Sequence, residues 1–173
     1  MTIPSSHRVA WIGVGGNLGN ALRVCGRAVE RLGDHAGVRL VARSRFYRTE
    51  PVGPVRHQPW YVNGVVGVET WYGPHALLRI LARIETSFGR ERGGELRWGP
   101  RPLDLDLLLH GNRVLRSTDL ILPHPRLHLR RFVLQPLWEV APALVHPVFG
   151  KTVDTMLREV DDTGQAIPWS DGR

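Results

Sequence analysis

Apolar positions recur along this chain in two periods, and the switches between them mark its elements. Residues 9–14 are apolar almost throughout, which predicts a central strand, and the tight turn Gly13-Val-Gly-Gly-Asn-Leu-Gly19 follows. Leu18, Leu22, Cys25, Val29 and Leu32 then form the stripe of an amphipathic helix that stops at Gly33. Alternation returns over residues 38–47, with Leu40, Ala42 and Phe46 on one face and Arg39, Arg43 and Arg45 on the other. A proline-rich loop spans residues 49–59, and residues 61–70 form the next strand. Pro74 opens a second helix whose stripe is Leu77, Leu81, Ile84 and Phe88, with Gly89 as its stop. Residues 89–102 hold four glycines, four arginines and two prolines and predict a mobile loop. Residues 103–110 form a strand that Gly111-Asn112 turns into a short hairpin arm at 113–115. The remainder predicts a helical segment over 127–138, a final helix over 152–160 and a flexible tail from residue 161.

The order β-α-β-β-α-β predicts an α+β, ferredoxin-like sandwich: an antiparallel sheet with helices packed on one face and a helical C-terminal extension. Neither an internal repeat nor a linker divides the sequence, so it reads as one domain with its core at about residues 8–160. Strand parity says which face is free. Val62, Val66 and Val68 share the face under the helices, as do Leu103, Leu105, Leu107 and Leu109. Tyr61, Asn63, Asp104 and Asp106 therefore point to the open face, where a ligand could lie beneath the two loops.

Composition narrows the chemistry. The chain has 173 residues and one cysteine, Cys25, which excludes an intrachain disulfide framework and a cysteine-based zinc site. Such usage fits a reducing compartment, and no apolar run approaches the ~20 residues of a membrane span. A monomeric, cytoplasmic protein with no membrane partner is expected. Formal net charge is +7, and Lys151 is the only lysine among the 23 basic residues. A basic chain of this kind binds nucleic acid or acts on a phosphorylated substrate.

Asp104-Leu-Asp106 is the sharpest constellation. Two carboxylates at i and i+2 of a strand lie roughly 7 Å apart on one side, a spacing that suits hard divalent cations bridging to phosphate oxygens. The plain alternative is a solvated strand face. Arg90, Arg92, Arg97 and Arg101 immediately upstream favour phosphoryl transfer, in which guanidinium groups take up transition-state charge. The glycine turn is not a dinucleotide fingerprint, because Leu18 stands where the third glycine belongs, and no Walker A motif is present. That turn is read as structural, with Asn17 fixing it or a nearby loop by side-chain hydrogen bonds.

Five segments then carry a resemblance. They are Gly15-Gly-Asn-Leu-Gly19, Phe46-Tyr-Arg-Thr-Glu-Pro-Val-Gly53, Gln58-Pro-Trp-Tyr-Val-Asn63, Arg97-Trp-Gly-Pro-Arg-Pro-Leu-Asp-Leu-Asp106, and Pro123-His-Pro-Arg126 leading to Arg130 and Phe132. In order and spacing the chain resembles the 6-hydroxymethyl-7,8-dihydropterin pyrophosphokinases of the folate pathway, over about residues 8–160. The resemblance implies transfer of pyrophosphate from ATP to the pterin hydroxymethyl, with AMP released. It implies that Asp104 and Asp106 hold a pair of Mg²⁺ ions on the ATP phosphates, and that Arg90 and Arg101 complete the catalytic set. Glu85, Arg92, Arg97, Trp98, His124 and Arg130 would bind ATP. Thr49, Pro51, Val52, Tyr61, Asn63, Trp98 and Phe132 would line the pterin pocket, where aromatic faces suit a flat heterocycle and an Asn amide matches its edge. Two departures stand out: Gly16 replaces the serine many members carry, and Gly93-Gly94 stands where some carry a lysine. A rival reading is an RNA-binding module using open-face aromatics. Asp104 and Asp106 on that face argue against it, and no nucleic-acid partner is expected.

Overall fold

The computed structural model describes residues 8–55, 57–91 and 99–170. Strand β1 (Arg8–Gly16) is central, flanked by β5 (Asp104–His110) and β4 (Tyr61–Thr70). The far edge of β4 is shared by β2 (Val38–Arg43) and β3 (Tyr47–Thr49), and β8 (Ala166–Pro168) pairs with β3. Every pairing is antiparallel. Helices α1 (Ala21–Gly33) and α2 (Pro74–Ser87) cover one face, giving the ferredoxin-like sandwich that the element order predicts. Helix α1 starts later than its apolar stripe, because the Asn20 side chain accepts from the Arg23 N–H at 3.1 Å and caps it; Leu18 stays exposed in the turn.

Parity along β1 divides two cores. Ala10, Ile12 and Val14 are buried beneath α1 and α2 with Val62, Val66, Val68, Leu103, Leu105 and Leu107. Trp11 points the other way and joins Val65, Leu108 and Leu109 in a second core. The C-terminal extension covers that core with α3 (Arg131–Val140) and α4 (Val153–Glu159), so part of the face expected to be open is roofed. The predicted helix over 127–138 is divided in two: a 3₁₀ turn, Leu127–Leu129, precedes α3, and Arg130 between them is extended.

Two irregularities reverse the simple alternation. The β1–β5 register shifts between Trp11 and Ile12, so Leu109 joins the second core instead of following Leu103, Leu105 and Leu107. The β2–β4 register shifts between Leu40 and Ala42, and Ala42 packs on the second core while Leu40 does not share its face. A single extra residue in one strand turns every later side chain to the opposite face. The arm after Gly111 also differs from expectation: β6 (Leu115–Arg116) pairs with β7 (Ile121–Leu122) as a separate two-stranded sheet, not with β5. Residues 166–168, expected in a flexible tail, instead form β8 against β3. Among the described residues, no helix is long and apolar enough to cross a membrane.

Candidate active site

The part of the second face that α3 leaves open is floored by three strands. Asp104 pairs with Gly15, which pairs with Asn63; Asp106, Gly13 and Val65 make the next row. Two strand spacings separate the Asp104 and Asn63 backbones by about 10 Å, and the glycines put no side chain into that gap. A Cβ on Gly15 would overlap the Asn63 amide oxygen, so the glycine is what lets Asn63 reach across the sheet. The resulting cleft has a volume of about 290 Å³.

Its carboxylate side is densely paired. Asp104 accepts from Arg90 at 2.5 Å, and its other oxygen lies 3.7 Å from the Arg101 guanidinium. Arg90 also bonds Glu85, which is buried beneath the sheet edge and accepts the Leu105 N–H at 2.7 Å. Asp106 sits at the floor, where desolvation and then the Asp104 carboxylate push its pKa up to about 7, against the pull of Arg130 and Arg90. Burial, then Arg130, brings His124 down to about 4. Its Nδ1 accepts the Arg126 N–H at 3.2 Å, and its backbone N–H donates to the Leu108 carbonyl at 2.8 Å. A second hollow of about 420 Å³ shares Arg90, Asp104, Asp106 and His124 with the first and runs toward Leu120. The two carboxylates thus stand between two spaces.

The other side is largely uncharged, with Glu50 the carboxylate among its lining residues. The Asn63 amide donates to Thr49 Oγ1 at 2.7 Å, and the Tyr61 hydroxyl donates to the Gly99 carbonyl at 2.9 Å. Phe132, at the start of α3, faces the cleft with the Arg130 guanidinium 5.4 Å from its ring centre. Asn17 ties these parts together. Its amide nitrogen donates to Gln58 at 3.1 Å and to the Pro59 carbonyl at 2.9 Å, while its oxygen accepts the Arg101 N–H at 2.9 Å. The structural reading of the glycine turn holds in that respect, and a Cβ on Gly16 would overlap the Pro102 carbonyl, so the missing serine allows a closer approach of the chain before β5.

Of the residues singled out from sequence, Thr49, Val52, Tyr61, Asn63, Arg90, Arg101, Asp104, Asp106, His124, Arg130 and Phe132 all line the cleft. Pro51 does not line it, and Glu85 lies under it, reaching only the wall of the second hollow. Arg92, Arg97 and Trp98 lie outside the described residues. Glu50, Arg126 and the floor glycines Gly13 and Gly15 were missed. The glycines did leave a signal, since they recur at alternate positions of a strand that is otherwise apolar.

Fold and cleft together define a class: a small ferredoxin-like transferase of the phosphoryl type. Residues 11–142 match the family 7,8-dihydro-6-hydroxymethylpterin-pyrophosphokinase (HPPK), and the chain belongs to it. It is 41% identical over 155 residues to a 2-amino-4-hydroxy-6-hydroxymethyldihydropteridine pyrophosphokinase of Methylorubrum extorquens, covering 90% of this chain and 95% of that one. A protein of the same description from Synechocystis sp. is 41% identical over 160 residues, 92% of this chain and 80% of that one. A crystal structure of Plasmodium falciparum HPPK-DHPS with pterin and p-hydroxybenzoate superposes with a TM-score of 0.71 at 13% identity. It covers 91% of this chain, which spans 44% of that longer one.

Proposed function

We propose that this chain transfers the pyrophosphoryl group of ATP to the hydroxymethyl of 6-hydroxymethyl-7,8-dihydropterin, releasing AMP, as a step of folate biosynthesis. The observation that carries the reading beyond family membership is the placement of paired carboxylates and arginines beside an Asn63–Thr49 wall across a glycine floor. A flat heterocycle with a donor–acceptor edge suits the largely uncharged side, with Phe132 and Tyr61 offering aromatic surface. A polyphosphate suits the other, where Arg90, Arg101 and Arg130 converge.

The carboxylates fit a hard divalent cation. They lie on one strand face, one of them held protonated to unusually high pH by burial and then by its neighbour, and among the described residues no cluster of three or more His, Cys, Asp and Glu offers a full protein cage. Mg²⁺ is bound in this way, through one or two carboxylates with the remaining oxygens from phosphates and water. Asp104 and Asp106 would hold it, and it would supply neutralisation of phosphate charge. Arg90, its guanidinium fixed from below by Glu85, and Arg101, its backbone N–H held by Asn17, are pre-oriented donors for the transferred group, which lowers the reorganisation needed in the transition state. His124 stays neutral at physiological pH and can donate or accept a hydrogen bond without adding charge.

The test is nucleotide product analysis with ATP, MgCl₂ and reduced 6-hydroxymethylpterin. AMP should appear only when pterin and Mg²⁺ are both present. ADP in its place would overturn the pyrophosphoryl assignment, and turnover without pterin would overturn the acceptor. Asp104→Ala and Asp106→Ala should each lower turnover by ~10²–10³-fold while leaving the far-ultraviolet spectrum unchanged, in line with removal of a transition-state electrostatic group.

A further inference from the structure

Helix α3 brings Arg130 and Phe132 to the cleft, yet its first turn is poorly held from within. Arg130 occupies the N-cap position without a side-chain hydrogen bond to the helix, and the first turn contains no acidic residue. Pro136 lies inside the helix, so no N–H is available there for the Phe132 carbonyl. A first turn of this kind frays unless another part of the chain supplies the missing partners.

The segment after α4 supplies the partner for the first of these N–H groups. Asp162 Oδ2 accepts the Arg131 N–H at 2.8 Å, and the Asp162 carbonyl accepts from Arg131 Nε at 2.8 Å. Asp162 Oδ1 accepts the Gly164 N–H at 2.9 Å, which turns the chain toward the sheet. From there Ala166 pairs with Thr49 and the Trp169 N–H donates to the Phe46 carbonyl at 2.7 Å. One short stretch therefore runs from the helix that carries Phe132 to the strand that carries Thr49. A negative charge at this helix start also complements the helix dipole.

We propose that Asp162 is a positioning residue for the reaction: it caps α3 from outside the helix and so holds Arg130 and Phe132 at the cleft. The proposal rests on the pterin-transfer reading above. Asp162 itself lines neither hollow at the site, so its effect passes through α3.

Three variants and two readouts test it. Asp162→Ala should raise the KM for the pterin about fivefold, the factor that loss of one helix cap produces, with a rise of similar size in the KM for ATP through Arg130. Asp162→Asn keeps one side-chain oxygen and should recover part of that loss. Trp169→Ala removes packing of the same segment without touching the cap; it should lower the melting temperature and leave the pterin KM within twofold. The second readout is amide hydrogen exchange, in which the Arg131 N–H should exchange about fivefold faster in Asp162→Ala, with 137–140 unaffected. An unchanged pterin KM in Asp162→Ala, an equal rise in Trp169→Ala, or unchanged exchange at Arg131 would each overturn the proposal. A wild-type protein that makes no AMP would reject the pterin reading instead, while exchange at Arg131 would still judge the cap.

Discussion

Between about pH 4 and 7 the folded chain keeps a proton on Asp106 that the unfolded chain, with an ordinary Asp, has already released. Stability from this group is full below pH 4 and is lost as pH rises through about 7, because the native state binds more protons over that window. The physical cause is a carboxylate held at the cleft floor beside Asp104, where ionisation is disfavoured until a cation arrives. Asp106→Asn should therefore melt higher than wild type at pH 8 in a chelator, by ~1 kcal/mol or more, with the gap closing toward pH 4. Thermal denaturation across that range checks this; identical melting curves at pH 8 would sink it. The stabilised variant should be catalytically dead, which separates the cost of the site from the cost of the fold. His124 has the opposite sign. Its folded value of about 4 lies below the ordinary 6.5, so its contribution is present above pH 6.5 and lost as pH falls toward 4.

At the scale of elements, the turn after β1 joins the two sides of the site. Asn17 is buried, and its side chain serves the loop before β4 and the chain before β5 at once. Asn17→Ala would leave the Arg101 N–H and the Pro59 carbonyl without this partner. A loss of ~2 kcal/mol in urea unfolding is expected, with a fall of at least ~10-fold in kcat/KM because Arg101 loses its orientation. A drop in stability with unchanged kcat/KM would separate the turn from the site. Helix α3 is anchored at its other end by a distinct contact: the Tyr47 hydroxyl donates to Glu139 at 2.6 Å, and Arg45 donates to the same carboxylate through its backbone and side chain. The long strands and both amphipathic helices were legible from periodicity, since each has a continuous partner on one face. The register shifts at Leu40 and at Trp11 were not. Which residue is extra depends on the neighbouring strand, and no period within one strand records it.

The whole molecule folds around two cores on one sheet, and Cys25 reports on the larger. It is fully buried in α1, and burial, with Asp104 second, pushes its thiol up to about 12. Reaction with a thiol reagent at pH 8 should therefore follow global unfolding. ATP and pterin together should slow it further, by the factor their binding adds to native stability. Labelling as fast as a free thiol in the folded protein would contradict the placement of α1.

What the amino-acid sequence determined by itself were the properties that repeat locally or depend on residue type. The sandwich order, the side of β5 that carries Asp104 and Asp106, and the arginine-rich approach to them follow from periodicity and charge. Only tertiary structure decided the rest. Glu85 reads as a ligand contact from its position, yet it is buried under Arg90 because β5 presents the Leu105 N–H there. Gly13 and Gly15 read as parts of a turn, yet they are the floor of the cleft because Asp104 and Asn63 come to lie on either side. The segment after α4 reads as loose polar chain, yet it pairs with β3 and caps α3. Each of these depends on backbone hydrogen-bonding groups supplied from far along the chain. A side-chain pattern cannot encode where an unsatisfied N–H or carbonyl of another element will lie, and that is settled only when the two cores pack.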